Sequence, residues 1–347
     1  MTGELYGRTA DGEGVLRHRL RAGGIEASVL TFGAVIETLR VPDRAGAAAN
    51  VVLGLTSLDG YATRSPHFGA LAGRFANRIA GGRFVLDGRA YQLARNNGPN
   101  ALHGGPRGFG RVNWQTVSAD ERRVVLEWLS PDGEEHYPGA LRVRVAYALD
   151  ADGLRIEYEA ETDAPTVLNL TNHSYFNLAG EGAGSVLGHE LQIEADGFLP
   201  VDETQIPTGE IRPVEGTAFD FRAPTPIGAR IRGDDPQLLR GLGYDHCWAL
   251  RGGVAKAPRL AARARHAGSG RVLEVWTDQP GLQFYSGNQL TGALVGPGGR
   301  AYRQGDGFCL ETQRFPDSPN QPGFPSTVLR PGERFRSDTW FRFGTEG

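Results

Sequence analysis

Cysteine and long apolar runs are scarce in this sequence. Among 347 residues there are two cysteines, Cys247 and Cys309, which are too few for a disulfide framework. No stretch approaches the roughly 18 consecutive apolar residues that a membrane-spanning helix needs. Residues 1–14 are polar and glycine-rich, without the apolar segment of a secretion signal. We therefore expect a protein of the reducing cytoplasm with no membrane partner.

A charge excess of one sign is also lacking, because the formal net charge is −3. This balance gives no reason to expect nucleic acid as a partner. Nearly all basic residues are arginine, and Lys256 is the only lysine. Glycine is abundant instead, with 50 residues, and there are 21 prolines. Both residues interrupt regular structure at turns, so we expect many short elements joined by tight loops.

Period-two alternation of apolar and polar residues is the clearest pattern. Residues 141–149 place apolar side chains at the odd positions, and residues 154–161 alternate again after a turn at 150–153. This predicts an antiparallel hairpin with one buried face and one solvent-exposed face. A second hairpin is predicted at 83–93, where Asp87 and Gly88 suit the positive backbone angles of a type I′ turn.

Further strands are predicted throughout the chain, whereas helical patterns are limited to 56–61, 66–79 and 235–239. No linker or internal repeat divides the sequence. The prediction is a single all-β domain over residues 1–347, built as a large antiparallel β-sandwich with a few short helical turns. The additional strands are expected at 15–20, 27–30, 35–41, 112–117, 124–129, 191–195, 259–264, 272–276, 282–286, 308–312 and 334–341.

Two loop segments carry polar groups that suit a ligand site. Asn77 and Arg78 lie among small residues, and a guanidinium donates several hydrogen bonds in one plane, as vicinal hydroxyls require. His103 precedes two glycines, which leave room around its ring. From spacing alone, a surface arginine in a helical turn and an ordinary loop histidine are the simpler interpretations of Arg78 and His103.

Three later segments add an imidazole, two carboxyl groups and an amide. His173 and Tyr175 lie in an asparagine-rich stretch that describes either a sugar pocket or turns that satisfy backbone groups. Asp245 begins an apolar strand, where it either accepts hydrogen bonds from a ligand or caps the strand. Gln283 offers an amide on a strand face. Glu311 interrupts an apolar run, and a buried carboxylate is costly unless it has partners or a function.

These segments, in this order, resemble the aldose 1-epimerase (galactose mutarotase) family, and the resemblance runs nearly the length of the chain. The matching pieces are Gly-Arg-Phe-Ala-Asn-Arg-Ile at 73–79, Leu-His-Gly-Gly at 102–105, Asn-His-Ser-Tyr-Phe-Asn-Leu at 172–178, Tyr-Asp-His at 244–246, Gln-Phe-Tyr-Ser-Gly-Asn at 283–288 and Leu-Glu-Thr-Gln at 310–313.

The resemblance implies an isomerase that interconverts the α and β anomers of a hexose, galactose or glucose, by ring opening and reclosure. His173 is then the general acid, Glu311 the general base, and His103 lies near the ring oxygen. No cofactor or metal is implied, and the partner is a small aldose bound by a monomer or homodimer. The residues expected to bind the sugar are Asn77, Arg78, Tyr175, Asp245 and Gln283.

Four other functions remain open at this stage. A glycoside hydrolase would use Asp245 and Glu311 as its two carboxyl groups. A metal site would combine both acids with His103 and His173, although no close His-x-His or His-x₃-His pair is present. A hexose-6-phosphate 1-epimerase would need cations for the phosphate. A non-catalytic sugar-binding protein could use the same scaffold.

Overall fold

The computed structural model describes residues 3–346, and strands dominate its element order. The strands, numbered in chain order, are β1 Glu4–Arg8, β2 Gly14–Ala22, β3 Ile25–Leu30, β4 Ile36–Pro42, β5 Ala48–Asn50, β6 Leu71–Ala72, β7 Arg78–Ile79, β8 Arg83–Leu86, β9 Arg89–Gln92, β10 Ala101–Leu102, β11 Gln115–Ala119, β12 Arg123–Ser130, β13 Leu141–Asp150, β14 Gly153–Thr162, β15 Thr166–Val167, β16 Thr171–Asn172, β17 Tyr175–Phe176, β18 Glu190–Ile193, β19 Ala195–Leu199, β20 Arg212–Pro213, β21 Thr225–Pro226, β22 Asp245–Leu250, β23 Arg259–Arg265, β24 Arg271–Thr277, β25 Gly281–Tyr285, β26 Thr291–Val295, β27 Ala301–Arg303, β28 Phe308–Gln313, β29 Val328–Leu329 and β30 Phe335–Thr345.

Three large antiparallel sheets form the body of the protein. The first contains nine strands in the order β11-β12-β13-β14-β30-β24-β23-β18-β21, the second six in the order β17-β28-β25-β22-β19-β20, and the third five in the order β1-β2-β3-β4-β5. Short two-stranded ladders, such as β16 with β6 and β7 with β10, connect the loops between them. The predicted all-β sandwich is confirmed.

The hairpin of β13 and β14 shows why the nine-stranded sheet has one apolar face. Val143, Val145 and Tyr147 are buried, while Arg142 and Arg144 are exposed. The apolar face joins a continuous buried cluster that also draws side chains from the other two large sheets. Each buried side chain of this size contributes about 1.5–3 kcal/mol through removal of apolar surface from water.

The predicted turn at 87–88 is present, because Asp87 and Gly88 both have positive φ between β8 and β9. Two α-helices are present in residues 3–346: α1 Leu58–Thr63, whose first turn is capped by Ser57, and α2 Pro236–Gly241, capped by Asp235. Neither is long and apolar enough to cross a membrane. Single 3₁₀ turns occur at Ala80–Gly82, Phe109–Arg111, Glu134–His136, Ile227–Ala229 and Ser318–Asn320.

The helical pattern predicted at 66–79 is wrong. Residues of this segment form β6 and β7 instead, and His67, Gly69 and Asn77 have φ values between 64° and 69°. A right-handed helix cannot contain such residues, because their backbone lies in the left-handed region. The strand predicted at 112–117 also begins later, at Gln115 in β11.

Candidate active site

Strands β22, β25 and β28 are adjacent in the six-stranded sheet and separate two environments. Alternate side chains of a strand face opposite sides of its sheet. Trp248, Phe284 and Leu310 face the main apolar cluster. Their neighbours Gln283 and Glu311, which are directly opposite each other in the β25–β28 register, therefore lie on the other face, away from this core.

That second face forms the floor of a cavity of about 270 Å³. Loops between residues 65 and 111 close its sides, so the cavity brings together side chains that are widely separated in sequence. Every predicted site residue except Gln283 lines it. The lining residues are Ser65, Pro66, His67, Asn77, Arg78, Asn97, Leu102, His103, Arg111, His173, Tyr175, Asp245, Tyr285, Gln289, Leu290 and Glu311.

Glu311 and His173 approach each other inside this cavity. Nε2 of His173 lies 3.6 Å from Oε1 of Glu311, and both side chains are almost fully buried. The second carboxyl oxygen of Glu311 has no hydrogen-bond partner within residues 3–346. The carboxyl group of Glu311 thus faces an imidazole through Oε1. Its other oxygen, Oε2, is available for contact with a ligand hydroxyl group.

Burial opposes the charged form of both groups. It raises the pKa of Glu311 well above its ordinary value, with the charge of Asp245 adding to the effect and Arg78 opposing it. Burial also lowers the pKa of His173 to about 3, with His67 contributing in the same direction. Burial therefore favours the neutral form of both groups. A strongly shifted acid and base in one cavity are typical of a catalytic site.

His103 approaches the same pair with a defined tautomer. Its Nδ1 accepts a hydrogen bond of 3.1 Å from the backbone N–H of Asn77, so a neutral ring carries its proton on Nε2. Its ring meets that of His173 edge-on, with 5.1 Å between centroids. Burial, followed by the neighbouring histidines and Arg78, lowers the pKa of His103 well below its ordinary value. His103 is thus a neutral Nε2–H donor.

Asp245, Gln283 and Arg78 form a polar group beside Glu311. Nε2 of Gln283 donates to Asp245 at 2.7 Å, and Arg78 lies 3.6 Å from the other carboxyl oxygen of Asp245. The Nε–H of Arg78 donates to Asn97 at 3.0 Å. Arg78 is buried, so its interpretation as a surface arginine is wrong. Gln283 acts on the cavity through Asp245, although it is absent from the lining itself.

Tyr175 lines the cavity, and its hydroxyl group already donates a hydrogen bond to the backbone. The hydroxyl donates to the carbonyl of Pro66 at 3.0 Å. Its ring stacks on His173, with centroids 5.1 Å apart and planes 20° apart. The prediction that Tyr175 binds the sugar stays a prediction, since the residue lines the cavity while its ring packs on that of His173.

A metal ion fits this cluster poorly. Ligand atoms of His103, His173 and Glu311 lie within 4.8 Å of one another, so the donor set alone is suitable. A histidine that binds metal through Nε2 normally keeps its proton on Nδ1 and donates it to a neighbour. Nδ1 of His103 instead faces the N–H of Asn77 and accepts from it. If Nε2 of His103 bound a metal ion, its Nδ1 would carry the proton, and this N–H would point at the backbone N–H of Asn77.

Sequence reasoning missed several residues of the cavity or its floor, among them Tyr285, Cys309 and His67. Tyr285 lies two positions after Gln283 on the same strand, so strand alternation alone could have placed it on the cavity face. Cys309 precedes Glu311 by two positions, and its Sγ lies 3.5 Å from Nδ1 of His173. His67 carried no local signal, because it lies on a turn whose position beside the cavity depends on tertiary contacts.

Comparison with known proteins gives a consistent family assignment. The family model described as aldose 1-epimerase matches residues 17–342. A galactose mutarotase from Bos taurus is 49% identical over 344 residues, which cover 99% of this chain and 98% of that protein. An aldose 1-epimerase from Escherichia coli (strain K12) is 40% identical over 326 residues, with 93% of each chain covered.

Solved structures show the same fold. A crystal structure of an aldose epimerase homologue from C. elegans superposes with a TM-score of 0.88 at 31% identity, covering 96% of this chain and all of that one. A galactose 1-epimerase from Lactobacillus acidophilus NCFM gives a TM-score of 0.86 at 31% identity, covering 99% and 98% of the two chains.

Proposed function

This chain belongs to the aldose 1-epimerase family, and we propose that it interconverts the α and β anomers of galactose or glucose with Glu311 and His173 as its proton-transfer pair. The observation that carries the assignment of these residues is the 3.6 Å approach of the two groups in one buried cavity. Positioned proton transfer of this kind contributes on the order of 10²- to 10⁴-fold in rate.

In the ring-opening step, ionised Glu311 removes the proton from the C1 hydroxyl group. The bond between C1 and the ring oxygen breaks, and protonated His173 delivers its proton to that oxygen. The open aldehyde rotates about its C1–C2 bond, and the same transfers in reverse close the ring on the other face. Both groups return to their starting states, so the cycle consumes no cofactor.

The buried pair supplies the ionised base and the protonated acid from a single proton. A neutral glutamic acid beside a neutral histidine contains the same number of protons as a carboxylate beside an imidazolium. Only a transfer across the 3.6 Å gap separates these two states. Mutual attraction in a site shielded from water favours the charged pair, whereas burial opposes it.

The remaining side chains orient the sugar. We assign hydroxyl contacts to Asn77, Arg78 and Asp245, with Gln283 holding Asp245 in place through its 2.7 Å hydrogen bond. His103 presents its Nε2–H toward the ring oxygen. We also propose that residues 1–347 act as one cytoplasmic domain, monomeric or dimeric, in line with a buried cluster that extends from Leu20 to Phe341.

Polarimetry tests the proposal directly. Freshly dissolved α-glucose and α-galactose should reach anomeric equilibrium much faster with the protein than in buffer alone. Glucose 6-phosphate serves as the comparison for the phosphorylated alternative, and release of reducing sugar from a glycoside is the assay for hydrolysis. Sugar binding without accelerated anomerisation would contradict the proposed function.

A further inference from the structure

A third histidine faces the cavity without a role in the reaction described above. His67 lies on the turn between α1 and β6 and lines the cavity with His103 and His173. The backbone N–H of Gly69 donates to the carbonyl of His173, and Tyr175 donates to the carbonyl of Pro66. The turn that carries His67 is therefore fixed to the segment that carries the general acid.

The side chain of His67 has ring contacts but no hydrogen bond. Its ring centroid lies 4.8 Å from that of His103 and 5.8 Å from that of His173. Within residues 3–346, neither of its ring nitrogens has a hydrogen-bond partner. An imidazole that borders a cavity with both nitrogens unused is available to a ligand.

The charge state of His67 favours a neutral hydroxyl group as that ligand. Burial, followed by the positive charge of Arg111, lowers the pKa of His67 to about 4. The ring is therefore uncharged near pH 7 and offers one N–H donor and one nitrogen acceptor. A hydroxyl group is also both donor and acceptor, so it can bind His67 in either orientation.

The positions of the neighbouring side chains indicate which hydroxyl group of the sugar His67 would contact. Asp245 and Gln283 lie on the Glu311 side of the pair. His67 contacts His173 but stays outside the compact group of His103, His173 and Glu311. If Glu311 serves the C1 hydroxyl and His173 the ring oxygen, the next position around the ring past His173 is C5. In a hexopyranose, C5 carries the hydroxymethyl group.

We propose that His67 binds the hydroxymethyl group on C5 of the sugar and thereby makes the enzyme prefer aldohexoses to aldopentoses. This inference rests on the function proposed above, since it uses the same cavity and the same orientation of the ring. His67 is a specificity-determining residue in this account, and the proton transfers do not pass through it.

Three sugars and two variants test the inference. Glucose has the C6 hydroxyl group, 6-deoxyglucose lacks only that hydroxyl group, and xylose lacks the whole hydroxymethyl group. His67→Phe keeps an aromatic ring but cannot form hydrogen bonds. We expect it to lower kcat/KM for glucose roughly 10-fold, the effect of one lost hydrogen bond. Rates on 6-deoxyglucose and xylose should remain those of the wild type.

His67→Gln is the matched control, because its amide again offers a donor and an acceptor, and it should restore part of the preference for glucose. Equal losses on all three sugars would overturn the inference, because His67 would then act through His173. An unchanged rate on glucose would overturn it as well. Failure of the wild type to accelerate any sugar would be a different result, which rejects the proposed function itself.

Discussion

Nε2 of His173 and Oε1 of Glu311 lie 3.6 Å apart in a shared cavity, although His173 follows the short strand β16 and Glu311 lies in the centre of β28. The two strands pack against each other but are not neighbours in one sheet. The relationship is therefore a product of the whole fold.

Removing either member of the pair should abolish most of the activity. Glu311→Gln and His173→Asn should each lower kcat by about 10²- to 10⁴-fold, because each removes one positioned proton transfer. Polarimetry measures the rate, and circular dichroism checks that the fold is retained. Glu161→Gln, an exposed carboxyl group on the nine-stranded sheet, is the control and should retain full activity. Near-normal rates in either site variant would remove its assigned role.

Glu311→Gln should also make the protein more stable at alkaline pH. The pKa of Glu311 is raised in the folded state, so its contribution to stability is lost as pH rises from about 4.5 through the folded pKa. Glutamine has no such loss. Urea unfolding at pH 8 should show a gain of about 1 kcal/mol, and the gain should shrink toward pH 4.5. A constant difference across this range would contradict the raised pKa.

Acid should destabilise the folded protein through its buried histidines. Burial lowers the pKa of His67 to about 4 and that of His173, His189 and His246 to about 3. The unfolded chain then binds more protons than the folded one between pH 6.5 and these values, so stability falls as pH decreases. The urea midpoint should be lower at pH 5 than at pH 7. An unchanged midpoint would mean that these rings titrate normally.

Asp245→Asn should affect both sugar binding and the pH profile. The variant loses the ion pair with Arg78 and weakens the hold on substrate hydroxyl groups, so KM should rise roughly 10-fold. The charge of Asp245 raises the pKa of Glu311, so its removal should lower that pKa. The acidic limb of the kcat profile should move to lower pH. A rise in KM with no movement of this limb would show that Asp245 does not influence Glu311.

Cys309 is expected to orient His173 through its thiol group. Burial raises the pKa of Cys309 well above its ordinary value, so the group remains an S–H that can donate to Nδ1 of His173 at 3.5 Å. With the thiol as donor, a neutral His173 ring carries its proton on Nε2, toward Glu311. Cys309→Val should lower kcat about 3- to 10-fold, with KM unchanged, whereas Cys309→Ser should retain more activity. Equal rates in the two variants would argue for packing alone.

Local sequence patterns were sufficient for most strands but not for the turn that carries His67. The hairpin of β13 and β14 follows directly from alternation, because each side chain meets either water or the core. Residues 66–79 have apolar spacing that suits a helix, yet their left-handed residues are stabilised by tertiary hydrogen bonds, such as the one from Asn172 to the carbonyl of Gly69. No local pattern contains such a contact.

The site was predicted residue by residue from its motifs, while its electrostatics required the structure. Glu311 drew attention because it interrupts an apolar run, and it is indeed almost fully buried. The Nε2–H tautomer of His103 depends on a backbone N–H of Asn77, which sequence patterns do not reveal. The occupied hydroxyl group of Tyr175 depends in the same way on the position of the Pro66 carbonyl.

In β28, side chains that face the cavity and side chains that face the apolar core alternate, with Glu311 on the first face and Phe308 and Leu310 on the second. A one-residue slip in the register of this strand would turn Glu311 toward the apolar interior and Leu310 toward the cavity at the same time. A mutation that shifts this register therefore disrupts the apolar core and the cavity together, so folding and activity are lost at the same time. Insertions and deletions should be tolerated far better in the connecting loops, where variation in substrate preference can accumulate without shifting this register.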